Sequence, residues 1–515
     1  MFDVPYFDSP YFHTLWPGLL TGIGTAFTLQ NIQLVFAGCL VGTLVGMLPG
    51  LGPAAAIALM LPLTYGLDPA SGLILMAGVY YGAAYGGSTA SILINAPGES
   101  NAVATTFDGY PLARMGKAGK ALAVAAYGSF IGGTFGAFML LLAAAPLAII
   151  GATFWSIDYV FLITLGIAAI AAFAGPGQWL KAWLSAIVGM MLASVGTDRS
   201  TGAPRFTFGQ NDLIDGVTFA LLAMSVFALA EALLLSVQGE KAPPVHAVGL
   251  RSLTLTREEV RDVAPTVARS SLLGFLVGVL PGAGSTIASF LAYGVERNLA
   301  PPAKRALFGH GSLRGLAAPE TANNAASSGA FVPLLTLGIP GSGTTALLLG
   351  VMVAYGVQPG PNLLAEHPDV FWGVIVSMYL GNLMLLVLNL PLVPLLARLL
   401  AVPREMLVPL ILLFGVLGVY LVGFNTFDIY VMVGFAVAAV FLRMLDVPMA
   451  PMLLGFALAV PFEDGLTKAL EQQQFLTMWD RPTSLALLAL AASVIGFSVG
   501  RQLWQRIQRL RPAAH

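Results

Sequence analysis

The chain has 515 residues, of which 57% are hydrophobic and only 10% charged, with a mean hydropathy of +0.83 and a formal net charge of −1. Twenty-four basic and 25 acidic residues cannot coat a water-soluble core of this size, so the composition reads as a polytopic membrane protein and gives no signal for nucleic acid. A single cysteine, Cys39 in an apolar run, excludes an intrachain disulfide and reads as a buried, inert thiol.

In chain order, the N-terminus MFDVPYFDSPYFHTLWPG is aromatic and acidic, with no basic region before an apolar core, so no cleavable signal peptide is expected. Leu19 to Gln30 reads as a short helix at the membrane interface. A spanning run from Ile32 to Leu48 meets a break at Pro49-Gly50-Leu51-Gly52-Pro53. The apolar run that follows, Ala54 to Leu63, has about half of the ~20 residues needed to cross and reads as a half-helix. After a turn at 65–69 comes a small-residue helix, Ala70 to Ile94, and a second break at Pro97-Gly98. Spans follow at 121–149, 157–175, 179–196 and 217–237.

The segment from Gln238 to Arg269 is the longest hydrophilic stretch and reads as a linker. Within it Thr256 and Glu259 have the spacing of a helix capping box. Leu272 to Leu280 leads to a third break at Pro281-Gly282-Ala283-Gly284, then to a short half-helix, Ser285 to Tyr293. Beyond a basic loop, Ala317 to Ser328 and Gly329 to Ile339 precede a fourth break at Pro340-Gly341. Spans at 371–399, 406–422, 427–444, 447–461 and 483–500 and a basic tail complete the chain. About ten to twelve crossings are expected.

The breaks repeat. Gly42 to Gly52, GTLVGMLPGLG, returns as Gly274 to Gly284, GFLVGVLPGAG, and Pro97-Gly98 returns as Pro340-Gly341. Loop charges swap between the copies: the turn at 65–69 carries only Asp68, whereas its equivalent carries Arg297, Lys304, Arg305 and Arg314. Likewise Arg114, Lys117 and Lys120 face an equivalent segment, 357–370, with only Glu366 and Asp369 as charges. Positive loops collect on the cytoplasmic side, so the two halves read as inverted-topology repeats, with the C-terminal tail cytoplasmic. The expected fold is all-α, with broken or re-entrant helices: a first repeat at 1–237, a linker at 238–269, a second repeat at 270–480, and a last helix and tail at 481–515.

Helices that begin inside a membrane present unpaired N–H groups that attract anions. The expected substrate-binding residues are therefore those of the breaks and the hydroxyls and amides around them. In the first half these are Gly50, Gly52, Ser88, Thr89, Asn95, Pro97, Gly98, Ser100 and Asn101. In the second they are Gly282, Gly284, Ser285, Thr286, Asn323, Asn324, Pro340, Gly341, Ser342, Thr344 and Thr345. No Lys or Arg lies in the breaks.

Freed carbonyls and hydroxyls also suit a monovalent cation, and Glu99, Glu320 and Thr321 are the ion-coupling candidates. The alternative is that Glu99 caps its own half-helix and that Glu320 sits at the mouth near Arg314. Glu231 reads as a structural contact, Asp158 and Asp428 as interfacial. The five histidines are scattered without metal-ligand spacing, so no cofactor or metal beyond Na+ or H+ is expected. Gly282-Ala283-Gly284 lacks the context of a dinucleotide site. An intramembrane protease built on Ser285 and His310, or an anion channel, are the competing readings; neither a catalytic residue nor an enzyme is expected.

At YGGSTASILINAPGE (Tyr85 to Glu99) and APETANNAASSGAFVPLLTLGIPGSGTTALLLG (Ala318 to Gly350), preceded by the two LPGxG segments, the chain closely resembles the large membrane subunit of the tripartite tricarboxylate transporters, the TctA family. The resemblance implies a bacterial inner-membrane secondary transporter working with a small membrane subunit and a periplasmic solute-binding protein. It implies ion-driven uptake of carboxylates such as citrate, with dicarboxylates and aromatic acids also in the family's range.

Overall fold

The computed structural model describes residues 10–48, 51–151, 153–172, 178–198, 202–237, 252–281, 284–396 and 404–510. Among these, the strands are a two-residue antiparallel pair, β1 (Gly196–Thr197) with β2 (Pro204–Arg205), and almost all else is helix. The chain is an all-α membrane protein. Among the described residues, six helical segments are long and apolar enough to cross a bilayer: Leu29–Gly46, Ser100–Ala144, Phe219–Val237, Arg257–Val279, Pro368–Asn389 and Thr426–Met444. Shorter apolar helices accompany them.

The first half opens with α1 (Pro10–Ala26) and α2 (Leu29–Gly46), the latter capped by the Thr28 hydroxyl. After the first break come α3 (Pro53–Met60), extended by one tighter turn to Thr64, and α4 (Pro69–Ile94). Asp68 starts α4 by accepting the Ser71 N–H at 3.0 Å, with Pro69 at the first helical position where its missing N–H costs nothing. After the second break come α5 (Val103–Leu112), α6 (Ala118–Gly151), α7 (Ser156–Ala172) and α8 (Trp179–Ala193). A wider π turn at 224–229 joins α9 (Phe219–Ala223) to α10 (Ala230–Val237).

The second half begins with α11 (Arg257–Val279), α12 (Gly284–Leu299) and the short α13 (Pro302–Arg305). Then come α14 (Leu313–Gly329), α15 (Phe331–Leu337), the fourth break and α16 (Gly343–Ala354). After α17 (Leu363–Glu366), α18 (Pro368–Asn389) and α19 (Val393–Leu396), the chain continues through α20 (Arg404–Gly423), α21 (Thr426–Met444) and α22 (Ala450–Glu471). It closes with α23 (Gln474–Thr477) and α24 (Pro482–Leu510).

Glycines fix how the breaks fold. Gly42 and Gly46 on α2 lie against the backbone of Val79 and Ala83 on α4, so closely that a Cβ at either would strike a carbonyl oxygen. Gly274 and Gly278 on α11 meet Ala322 and Ala326 on α14 in the same way. Residue numbers rise together in both pairs, so α2 runs parallel to α4 and α11 parallel to α14. The intervening α3 and α12 must therefore turn back, making each first break the tip of a helical hairpin. Only a residue without Cβ permits this approach. Gly278→Val should lower the melting temperature in detergent and the yield of folded protein, since overpacking typically costs about 1–3 kcal/mol and rigid backbone cannot relax as a side chain does.

Pro340 lies 243 residues after Pro97, as Ala326 does after Ala83, so α14 and α15 together repeat α4. These equivalent helices pass antiparallel: Ser88 touches Glu320 at one end, while Tyr80 and Tyr81 lie 6.1 and 5.8 Å from the Phe331 ring at the other. The long helix after each second break crosses to the opposite half, α6 onto α14 and α18 onto α4. The halves are interlocked rather than side by side. Beyond them α7, α8, α22 and α24 pack together, and Arg443 on α21 pairs with Glu231 in a structural contact, as read from the sequence.

Several sequence readings change. The helix expected at Leu19 to Gln30 is two helices; α1 packs along α18, with Gly18 and Gly22 against Trp372. The half-helix expected at 285–293 runs to Leu299, because Glu296 is neutralised by Arg269 at 2.6 Å and bonded by Thr266 at 2.8 Å. The expected linker ends early: the Thr256–Glu259 capping box is present and starts α11 at Arg257, while 238–251 lie outside the described residues. Asp158, expected at the interface, is buried and accepts from Ser484 and from the Trp155 N–H.

Candidate functional site

The second breaks are extended strands of chain laid on the hairpin tips. Asn95 ends α4 in the left-handed conformation, φ 56°, and Glu99 follows with φ −144° and ψ 160°. A Cβ on Gly98 would come within 2.6 Å of the Gly46 carbonyl oxygen, and one on Gly341 within 3.3 Å of that of Gly278. In each half, then, the second break rests on the tip of the α2 or α11 hairpin. Gly52 completes the first of these contacts beside Gly98 and Glu99, and Gly284 the second beside Gly341 and Ser342.

The two halves then meet at these corners. Ser100 Oγ lies 2.9 Å from Thr286 Oγ1, and Asn101 Nδ2 donates to Ser285 Oγ at 3.1 Å. Glu99 lies beside Asn101 and Thr344, and its Oε2 is buried with no hydrogen-bond partner among the described residues. Thus Gly52, Pro97, Gly98, Glu99, Ser100, Asn101, Gly284, Ser285, Thr286, Pro340, Gly341, Ser342 and Thr344 are gathered around one junction.

Not every expected residue serves there. Gly50 and Gly282 lie outside the described residues. Asn95 is an exposed helix end, and the Thr89 hydroxyl bonds to the Tyr85 carbonyl of its own helix at 3.3 Å. Ser342 and Thr345 form the reciprocal cap of α16, which occupies one of that helix's free N–H groups. Ser285 is engaged by Asn101, and the rest of α12, about 21 Å at 1.5 Å per residue, separates it from the turn that carries the exposed His310. The Ser285–His310 pair of the protease reading is not assembled.

Glu320 is held on every side by the opposite half. It is 0% exposed at the middle of α14, and its carboxylate accepts from three hydroxyls, all supplied by the other half. Ser88 on α4 donates at 2.7 Å and Ser129 on α6 at 3.1 Å, both to Oε2, and Thr105 on α5 donates to Oε1. The neighbouring Asn324 donates to the Glu320 carbonyl at 3.0 Å and to Asn323 Oδ1 at 2.5 Å. The Thr321 hydroxyl is buried without a partner among the described residues, facing Gly128 of α6.

Placing Glu320 at the mouth near Arg314 is therefore incorrect. Arg314, six residues earlier on the helix, pairs with Asp262 at 2.7 Å, and among the described residues no Lys, Arg or His pairs with the Glu320 carboxylate. The reason is steric: Gly128, Gly132 and Gly136 let α6 lie directly on α14 and seal its middle from solvent. A carboxylate so placed is costly at membrane depth, and the oxygens around it are all neutral. Thr105 and Ser129 were missed in the sequence; the available signal was a pair of small hydroxyls, Ser129 and Thr134, inside the apolar span 121–149.

Both ends of this core are defined. Asp108, three residues after Thr105 on α5, accepts the backbone N–H groups of Gly309, Gly311 and Ser312 at 2.9, 2.8 and 2.7 Å, tying that basic loop to the first half. At the far end of α14 and α15, two adjoining depressions of about 230 and 240 Å³ share Tyr159, Gln358 and Pro359. One reaches Gly338 beside the fourth break, and the other presents Asn362, Asp464 and Lys468.

Broken helices from two interlocked, oppositely running halves that converge beside a buried carboxylate define a membrane transporter subunit. The chain belongs to the tripartite tricarboxylate transporter TctA family, whose model matches residues 32–454. It is 42% identical over 479 residues to an Agrobacterium vitis protein described as the uncharacterized 52.8 kDa protein in the TAR-I ttuC' 3' region, covering 93% of this chain and 95% of that one. A second Agrobacterium vitis protein, described as uncharacterized in the TAR-II ttuC' 3' region, is 44% identical over 198 residues, 38% of this chain and 81% of that one. No solved structure matches the chain.

Proposed function

We propose that this subunit imports carboxylate anions across the bacterial inner membrane by alternating access, driven by a gradient of H+ or Na+. In this reading a periplasmic solute-binding protein delivers the cargo, a tricarboxylate such as citrate or a related di- or aromatic carboxylate, and a small membrane subunit completes the assembly. The observation that carries it is Glu320: a fully buried carboxylate of one half held only by hydroxyls of the other.

The cargo carboxylates would sit at the junction of the breaks, against the start of α12 with Ser285 and Thr286, the 98–101 segment and Thr344. The coupling ion would sit with Glu320, Ser88, Thr105, Ser129 and Thr321, or with Glu99 beside the cargo. The loop charges support the orientation. Met115 of the first basic loop lies against Gly311 of the second, so both share a face, the cytoplasmic one by the positive-inside rule. Tyr355 donates to the Thr64 carbonyl at 2.6 Å, which puts the two loops that lack basic residues together on the other face, with the depressions near Gly338.

Reconstitution of all three components in proteoliposomes tests this. Uptake should saturate, collapse with the ion gradient and show counterflow; flux that neither saturates nor counterflows would make the chain a channel.

A further inference from the structure

We propose that the groove between α6 and α11 is a binding site for an anionic phospholipid. The groove has a volume of about 560 Å³ and is lined chiefly by apolar side chains, Val124, Tyr127 and Ile131 from α6 and Val260, Val263 and Val267 from α11. It lies along two segments long and apolar enough to cross the bilayer, so its natural filling is hydrocarbon, and its volume is within the range of built ligand sites.

What distinguishes it from a bare apolar face is the charge at its rim. Arg257 precedes the lining residues Val260 and Ala264 by three and seven positions, and Arg261 stands in the same relation to Ala264 and Ala268. That spacing sets both guanidinium groups on or beside the groove face of α11. Both are exposed, and neither is in an ion pair with a described residue.

The acidic residues nearby do not cancel them. Glu259 is held by Lys120 at 2.5 Å, Asp262 is held by Arg314 and Lys304, and Glu258 lacks the three- or four-residue helical spacing to the lining residues of α11. Lys120 itself precedes Val124 and Tyr127 by four and seven positions, so the cation that neutralises Glu259 stands at the same end of the groove. An apolar slot opening beneath unpaired arginines complements a lipid with an acyl tail and an anionic phosphodiester headgroup, whereas a zwitterionic headgroup would set its own cation against them.

The test is native mass spectrometry of the full chain after equilibration in nanodiscs of phosphatidylglycerol or of phosphatidylcholine. The wild type is expected to retain about one phosphatidylglycerol and roughly tenfold less phosphatidylcholine, equivalent to about 1.4 kcal/mol. The double variant R257Q/R261Q should lose this preference, R257K/R261K should keep most of it, and Ala264→Trp, which blocks the slot and leaves the arginines, should release the lipid. Variants with unchanged melting temperature qualify for comparison. Equal retention of both lipids by the wild type, undiminished retention by the glutamine variant, or occupation of the groove by a helix of the small membrane subunit would overturn the assignment.

Discussion

A disulfide between cysteines placed at Ser100 and Thr286 is expected to stop transport that the reduced form of the same variant still carries out. The two hydroxyls are 2.9 Å apart and come from opposite halves, so the side chains already point at one another, as a disulfide requires. The native Cys39 is buried and offers no competing partner. If the halves must part for the cargo to pass, the oxidised S100C/T286C protein should lose uptake on the order of a hundredfold, a barrier of about 2.7 kcal/mol. Reductant should restore it, and equilibrium binding of labelled cargo in detergent, weakened in both forms by the loss of two hydroxyls at the cargo site, should differ little between the oxidised and the reduced variant. The reduced double variant separates the lock from the loss of two hydroxyls. Oxidised protein that transports at the reduced rate would show that this junction does not open during the cycle.

The second large effect is expected at Glu320. Glutamine keeps the side chain's length and one carbonyl acceptor, and the hydroxyls of Ser88, Thr105 and Ser129 can each rotate to accept as well as donate. E320Q should therefore fold and insert at near wild-type yield. Its uptake should fall by roughly tenfold or more and, more tellingly, lose its dependence on the ion gradient, since removing a differential interaction of about 1.4 kcal/mol already costs a factor of ten. Glu320→Ala should behave differently, because it leaves a cavity and strands the buried Thr105 hydroxyl, while Ser88 and Ser129 keep the backbone carbonyls of Ala84 and residue 320 at 3.2 and 3.4 Å, so it costs stability as well as coupling, about 1–3 kcal/mol for the unpaired group alone. A glutamine variant with normal ion stoichiometry would remove Glu320 from the coupling mechanism.

Much of this architecture was legible in the sequence because it is written in residues with narrow physical uses. Glycine at 42 and 46, and again at 274 and 278, marks where backbones touch; proline at 97 and 340 marks where helices cannot continue; Thr256 with Glu259 marks where one must start. The partners of Glu320 were not legible for the opposite reason. Ser88, Thr105 and Ser129 are 17 and 24 residues apart in sequence, and nothing in local periodicity says that three helices will turn one hydroxyl each toward a carboxylate more than 190 positions away. The length of α12 was hidden in a similar way, because an acidic residue reads as a helix leaving the membrane until Arg269 is known to face it.

The backbone of this chain obeys its internal repeat more faithfully than its chemistry does. Counting 243 residues back from Glu320 leads to Ala77, and from Asn323 and Asn324 to Tyr80 and Tyr81. In an alternating-access cycle, two chemically identical inverted halves would give outward- and inward-open states related by a twofold rotation and equal in energy, a machine with no preferred resting pose. A carboxylate at 320 with alanine at its counterpart 77 would lift that degeneracy. The same substitution of one alanine-like position by glutamate would thus set both where the ion sits and which way the empty transporter faces while it waits.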